Sequence, residues 1–271
     1  MNSDHSTITM LGTGSAMCVR CYNTCFVLRT PHSLLMVDAG GGNGIFRQLH
    51  RARIRVEDVH HLFVTHCHTD HIMGVIWMIR KISPLIHKGK YQAPFTIYCH
   101  DEAHHALLTM CHLMLPEKIL RAVGESIILR EVHDGENIVM DDMTLNCFDI
   151  GSTKAKQYGF AATLPDGKRV VCLGDEPYNE ATEHYVRGCD WLLCEAFCRY
   201  ADREQFRPYE KHHSTVVDSA RLAAQLEVKN LLLYHTEDTQ LSTRRATYTA
   251  EAEQHFAGNI VVPDDLDTIL L

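Results

Sequence analysis

The sequence predicts an α/β protein, and three observations carry that prediction: apolar runs of strand length, helical patterns alternating with them, and a second half that repeats the plan of the first. Strands are expected at Thr7 to Leu11, Thr24 to Arg29 and Leu34 to Asp38, followed by a helix near Asn43 to Ala52. His61 to Thr65 then feeds a helix from about Asp70 to Ile82, Phe95 to Cys99 precedes a helix from Asp101 to Leu113, and Ile127 to Val132 closes the half. In the second half Thr144 to Ile150, Phe160 to Leu164, Arg169 to Leu173, Trp191 to Glu195 and Asn230 to Tyr234 read as strands. Helices are expected near Asn179 to Arg187, Thr215 to Leu226 and Ser242 to Phe256. Thr215 and Ser242 are the N-cap candidates, because a hydroxyl oxygen can accept a free first-turn N–H.

Length and composition narrow the class. A chain of 271 residues, 45% hydrophobic, is long enough for a large core, and 1–271 is expected to form one domain without linker or low-complexity tract. The apolar stretches stop well short of the roughly 20 residues of a membrane span. Met1-Asn2-Ser3-Asp4-His5 lacks a leader pattern, so a cytoplasmic protein with no membrane partner is expected. Eleven cysteines, an odd number spread through strands such as those of Cys147 and Cys172, read as small buried hydrophobes of a reducing compartment. Cys18, Cys21 and Cys25 have a spacing open to a structural zinc, yet Cys25 alternates into a sheet and no convincing fourth ligand stands nearby. A net charge of −8 disfavours long nucleic acid, whose phosphates call for a basic face. The oligomeric state stays open, a homodimer included.

Chemistry concentrates in Thr65-His66-Cys67-His68-Thr69-Asp70-His71, directly after the apolar stretch His61-Leu62-Phe63-Val64. Neutral imidazoles and a carboxylate are the donors that a borderline ion such as Zn²⁺ selects. A strand-to-helix turn can aim His66 and His68 together while Asp70 and His71 point elsewhere, which suits two adjacent metals. A chain with 19 histidines also has room for a histidine-rich surface loop, but this spacing favours the metal site.

The run resembles the H-x-H-x-D-H motif of the metallo-β-lactamase superfamily. Leu11-Gly12-Thr13-Gly14-Ser15-Ala16, Val37-Asp38-Ala39-Gly40, Leu173-Gly174-Asp175, Cys194-Glu195-Ala196, His213-Ser214-Thr215 and Leu233-Tyr234-His235 extend the resemblance over nearly all of the chain. Within the superfamily the set is most similar to ribonuclease Z and its small phosphodiesterase relatives. The resemblance implies a four-layer αββα sandwich, with two facing mixed sheets flanked by helices. It implies two divalent metals, Zn²⁺ or else Mn²⁺ or Fe²⁺, with His66 and His68 on one, Asp70, His71 and His235 on the other, and Asp175 as the bridge. It also implies Asp38 as the carboxylate that orients a metal-bound histidine, His213 as the acid that protonates the leaving group, and Glu195 as its orienting partner. Diiron oxygen-reducing members replace the second histidine of the run by Glu, so His68 favours hydrolysis.

One ligand departs from the family pattern. Gly151 stands nearest the place of a further histidine, with Ser152 and Tyr158-Gly159-Phe160 in matching positions. Natural loss, an engineered removal, or service by another residue such as His133 would each account for it, and the first metal site is expected to be weakened. Ser152 and Lys154, with Thr153 and Lys156, can offer donors to a substrate phosphate. No Gly-rich basic insertion matches the arm with which ribonuclease Z grips transfer RNA.

These readings converge on a metal-dependent hydrolase, a phosphodiesterase that uses a metal-bridged water on a small or nucleotide-like phosphate ester, with Asp70, Asp175, Glu195 and His213 in its catalytic set. Two alternatives stand beside it. One is a hydrolase of another ester class, a lactone, thioester or β-lactam, for which His213 would be idle. The other is a catalytically impaired protein that binds a phosphate or nucleotide ligand, for which Gly151 is the only support.

Overall fold

A computed structural model describes residues 5–271 of the chain; residues 1–4, read above for a leader, lie outside the described residues. The elements run β1 (Thr7–Gly12), β2 (Cys25–Arg29), β3 (Leu34–Val37), α1 (Gly44–Arg51), β4 (His61–Phe63), α2 (Thr69–His87), β5 (Phe95–Cys99), α3 (Asp101–Met114), α4 (Glu117–Leu120) and β6 (Ile127–Glu131). They continue with β7 (Asn137–Met140), β8 (Met143–Asp149), β9 (Tyr158–Thr163), β10 (Arg169–Cys172), α5 (Glu183–Val186), β11 (Trp191–Glu195) and α6 (Arg203–Phe206). The chain closes with α7 (Val216–Gln225), β12 (Asn230–Tyr234), α8 (Leu241–Ala252), β13 (Asn259–Val261) and β14 (Thr268–Leu270).

Two seven-stranded mixed sheets result, in the orders β14-β1-β2-β3-β4-β5-β6 and β13-β12-β11-β10-β9-β8-β7. Period-two alternation decides which side chains fill which layer. Along β3, Leu35 and Val37 turn inward with Phe26, Phe63, Phe160, Val170, Leu193 and Tyr234 of both sheets, while Leu34 and Met36 turn outward onto α1 and α2. On the far side, Val171, Leu192, Cys194 and Leu231 pack against Val216, Ala220 and Ala223 of α7 and Tyr248 of α8. Because most strands are buried on both faces they read as continuous apolar runs. The layers are therefore helix, sheet, sheet, helix, as the family resemblance implies.

Each sheet has a parallel half, β3 to β6 in one and β10 to β13 in the other. The carboxyl ends of these strands meet at one rim, and that is where an open α/β sheet offers its crevice. Asp38 follows β3, residues 65–71 follow β4, Asp175 follows β10, Glu195 ends β11 and His235 follows β12.

Three departures from the expected elements have local causes. Helix α2 runs through Pro84 to His87, past the expected end at Ile82, because Leu85 and Ile86 continue its packing against the core. The helix expected over Asn179 to Arg187 is a 3₁₀ turn at Glu180–Thr182 followed by the short α5. Thr215 caps α7 in a reciprocal capping box with Asp218, whereas Ser242 lies inside α8, whose cap is Gln240.

Candidate metal centre

The turn after β4 is held from below by Asp38, a residue with φ of 53°. Its carboxylate accepts from Thr65 N at 2.8 Å, Thr65 Oγ1 at 2.7 Å and His71 Nδ1 at 2.7 Å. Since the Thr65 hydroxyl hydrogen goes to Asp38, the 2.9 Å contact between Thr65 Oγ1 and His66 has His66 Nδ1 as donor. Thr24, just before β2 of the same sheet, repeats the arrangement for a histidine of the other sheet: its hydroxyl donates to Gly14 O at 3.1 Å and receives His235 Nδ1 at 3.2 Å. Three imidazoles are thus fixed by Nδ1, which leaves each Nε2 as the outward donor atom.

Those nitrogens converge on Asp175. Its Oδ1 lies 3.4 Å from His66 Nε2, while its Oδ2 lies 3.7 Å from His71 Nε2 and 3.4 Å from His235 Nε2. His66 Nε2 and His68 Nδ1 face each other at 2.8 Å. Asp70 Oδ2 stands 3.2 Å from His71 Nε2. All six sequence-derived metal residues therefore meet at one rim, and the two sheets each supply part of the set.

Burial and charge prepare these groups as ligands. Desolvation holds the His66 imidazole well below its usual range and pushes His235 down to about 3, so both carry free lone pairs. Burial opposes ionisation of Asp70 and Asp175, but the surrounding imidazoles prevail and both carboxyls fall below the usual carboxylate range. His71 goes the other way: burial disfavours its charge, yet Asp38 and Asp70 raise its pKa, so a cation at Nε2 would have to displace a proton. Its Nε2 is buried without a hydrogen-bond partner while carboxylates surround it. An orphaned imidazole nitrogen among carboxylates and imidazoles is a seat that a divalent cation completes, and the donor set fits such ions.

His213 reaches the same rim from the loop before α7. Its Nδ1 donates to Glu195 Oε2 at 2.6 Å, Glu195 Oε1 accepts from Ser214 N at 2.7 Å, and the ring stacks on Phe197 with centroids 5.0 Å apart. A ring nitrogen of His213 falls within 4.8 Å of ligand atoms of Asp175 and His235. Burial pushes Glu195 up to about 7; the Glu195 hydrogen bond and charge raise His213 against its own burial.

The loop after β8 carries the remaining expectations. Gly151 adopts φ of 72° in an exposed turn, its N–H donating to Asp149 Oδ1 at 2.8 Å, and an added Cβ would face Asn179 Nδ2 at 2.7 Å. It shares a cavity of about 440 Å³ with Ser152, Glu176 and His212. Ser152 Oγ accepts from Lys154 N at 3.2 Å and so shapes the turn. The Lys154 charge bears on His68 and His213, whereas Lys156 is tied to Asp101 at 2.6 Å. His133 sits in an exposed turn beside Glu131 and takes no part in the centre. Cys18 and Cys21 cluster with Asp238, while Cys25 is buried in the core. Sequence reasoning missed Thr24, Thr65 and Gln157, whose roles depend on partners distant in the chain; only the residues beside a ligand motif, such as Thr65, carried any hint.

Comparisons with known proteins agree with this fold. Ribonuclease Z of Bacteroides thetaiotaomicron is 26% identical over 83% of this chain and 84% of its own. The metallo-β-lactamase fold protein YhfI from Bacillus subtilis superposes with a TM-score of 0.81 at 16% identity, covering 99% of this chain and 100% of that one. Zn²⁺-bound PqqB from Methylobacterium extorquens superposes with a TM-score of 0.73 at 14% identity, covering 98% and 100%. Among the described residues no helix is long and apolar enough to cross a membrane. Residues 6–257 match the family described as Anti-Pycsar protein Apyc1. The chain has the metallo-β-lactamase fold, is similar to ribonuclease Z, and belongs to the Anti-Pycsar protein Apyc1 family.

Proposed function

We propose that this protein is a metal-dependent hydrolase that cleaves small or nucleotide-like phosphodiesters, with 1–271 acting as one catalytic domain. Two divalent cations would be held by His66, His68 and Asp175 on one side and by Asp70, His71, His235 and Asp175 on the other. The observation that supports this most is the division of Asp175, with one oxygen turned to His66 and the other to His71 and His235. Imidazole-rich donors suit Zn²⁺, and the Zn²⁺-bound neighbour favours it; the carboxylates also suit Mn²⁺ or Fe²⁺. Bound cations would supply a water of near-neutral pKa and polarise a phosphoryl oxygen.

The chain's own residues do the remaining work. Asp38, Thr65 and Thr24 fix the imidazole tautomers. With Nδ1 committed to Glu195, His213 holds a proton at Nε2 for the departing alkoxide. Lys154 places a positive charge beside His68 and His213, where a phosphate anion would sit. Gly151 supplies no imidazole, so the His66 side is the weaker seat.

The net charge of −8 supports a small substrate, while the relative named ribonuclease Z counts toward RNA. The deciding experiment assays bis-(4-nitrophenyl) phosphate, linear and cyclic nucleotide diesters, a structured RNA and a lactone panel, alongside metal analysis. Turnover of small diesters with a metal count near two supports the proposal. Lactone turnover without diester cleavage points to another ester class. Tight nucleotide binding without turnover points to a sensor.

A further inference from the structure

The loop that lacks an imidazole at Gly151 returns to the metal centre at Gln157. This side chain is fully buried, and its backbone carbonyl accepts from Ile150 N at 3.0 Å, which pins the two ends of the loop together. Its Nε2 donates to Asp175 Oδ1 at 2.9 Å. That is the oxygen turned toward His66, on the side where the ligand is missing. An ionised carboxylate accepts only, so the amide nitrogen, not its oxygen, must face it.

Two further observations mark the contact as built. Gly174, with φ of 67°, leaves room for the amide, because a Cβ there would lie 2.1 Å from Gln157 Nε2. Gln157 Oε1 is buried without a hydrogen-bond partner. An unsatisfied buried acceptor costs about 1–3 kcal/mol, so a position serving packing alone would favour an apolar side chain.

We propose that Gln157 is a positioning residue of the metal centre: its amide fixes Asp175 so that Oδ1 serves the His66 side, replacing the constraint that an imidazole at 151 would have supplied. A carboxylate oxygen has more than one lone-pair site, so Oδ1 can accept from the amide and still face a cation. The inference rests on the reading of Asp175 as the carboxylate shared between two metals.

The test is a calorimetric titration of metal-free protein with Mn²⁺, the His66-side step being the one that His68→Ala removes. Gln157→Met and Gln157→Leu keep a side chain of similar bulk but lose the donor. Both are expected to loosen the His66-side step by about tenfold or more, as loss of a supporting hydrogen bond commonly does. They should leave the other step within about twofold, the melting temperature of the metal-free protein unchanged, and KM unchanged, with kcat restored by excess Mn²⁺. Wild-type affinity at both steps would overturn the proposal. So would equal weakening of both steps, or failure of both variants to fold, since either assigns Gln157 to packing. Asp175→Ala in the same titration separates the two readings. If it keeps both metals, the shared-carboxylate reading fails; if it loses metal while the Gln157 variants do not, only the role of Gln157 fails.

Discussion

Removing the imidazole of His213 should separate substrates by leaving group. The side chain is buried, its Nδ1 is held 2.6 Å from Glu195 Oε2, and the ring is clamped against Phe197, so one nitrogen alone is free to donate. General acid catalysis is worth roughly 10²- to 10⁴-fold, or about 3–5 kcal/mol at 1.36 kcal/mol per decade. His213→Ala should therefore slow alkyl and nucleoside esters by at least about 10²-fold and leave bis-(4-nitrophenyl) phosphate within severalfold, because nitrophenolate leaves without a proton. The pH profile gives the second half of the test. Burial and Lys154 lower the His213 pKa, while Glu195 and Asp175 raise it, and the net direction is upward. The acid is active when protonated, so the rate on poor leaving groups should fall as pH rises through that raised value. Glu195→Gln removes the main upward cause and should move the fall to lower pH. Steady-state kinetics on both ester classes across pH checks this. Equal losses on both classes, or an alkaline limb unmoved by Glu195→Gln, would refute the acid role.

Asp175→Ala should abolish turnover and lower the metal content, since both sides of the centre lose an oxygen; elemental analysis of folded protein decides, and undiminished metal would be fatal to the idea. Gly151→His combined with Asn179→Ala, which clears the side chain facing that Cβ, should raise metal content and diester turnover, although the left-handed backbone costs about 1–2 kcal/mol. No change in either quantity would mean that 151 does not address the centre. Arg244 is buried and donates to Thr13 Oγ1, Thr236 Oγ1, Pro263 O and Asp264 Oδ1 at 2.7–3.1 Å, tying the segment after His235 to the chain terminus. Arg244→Ala should cost about 2–4 kcal/mol and lower Tm by roughly 5–12 °C in calorimetry; a shift under about 2 °C would contradict that account.

The sequence was most legible where one local pattern governs the outcome. Phe95–Cys99, Trp191–Glu195 and Asn230–Tyr234 are central strands buried on both faces, and their expected bounds are the observed ones. The edge strands β7, β13 and β14 went unread, because three or four residues beside Asp, Asn and Pro carry little periodicity and take their form from a neighbour's backbone. The dense run His66 to His71 and the residues ending apolar strands announced the candidate ligands. The supports around them did not. Thr24 lies 211 residues from its partner His235, and Gln157 reaches Asp175 only after a hairpin folds back, so neither spacing nor composition marks them.

The placement of the centre on the seam has a consequence for how the activity comes into being. Residues 66–71 hang from one sheet, and Asp175 and His235 from the other, so neither half of the chain carries a complete set of donors. A nascent or half-assembled molecule should therefore show no turnover under the proposed function. A bound cation would then act as a rivet between the sheets beside the backbone bridge of Gly14 to Thr236, and chelation should loosen that seam. Mutations in the apolar layer between the sheets, around Phe63 and Phe160, should accordingly be felt first as weakened metal retention, before any element of secondary structure is lost.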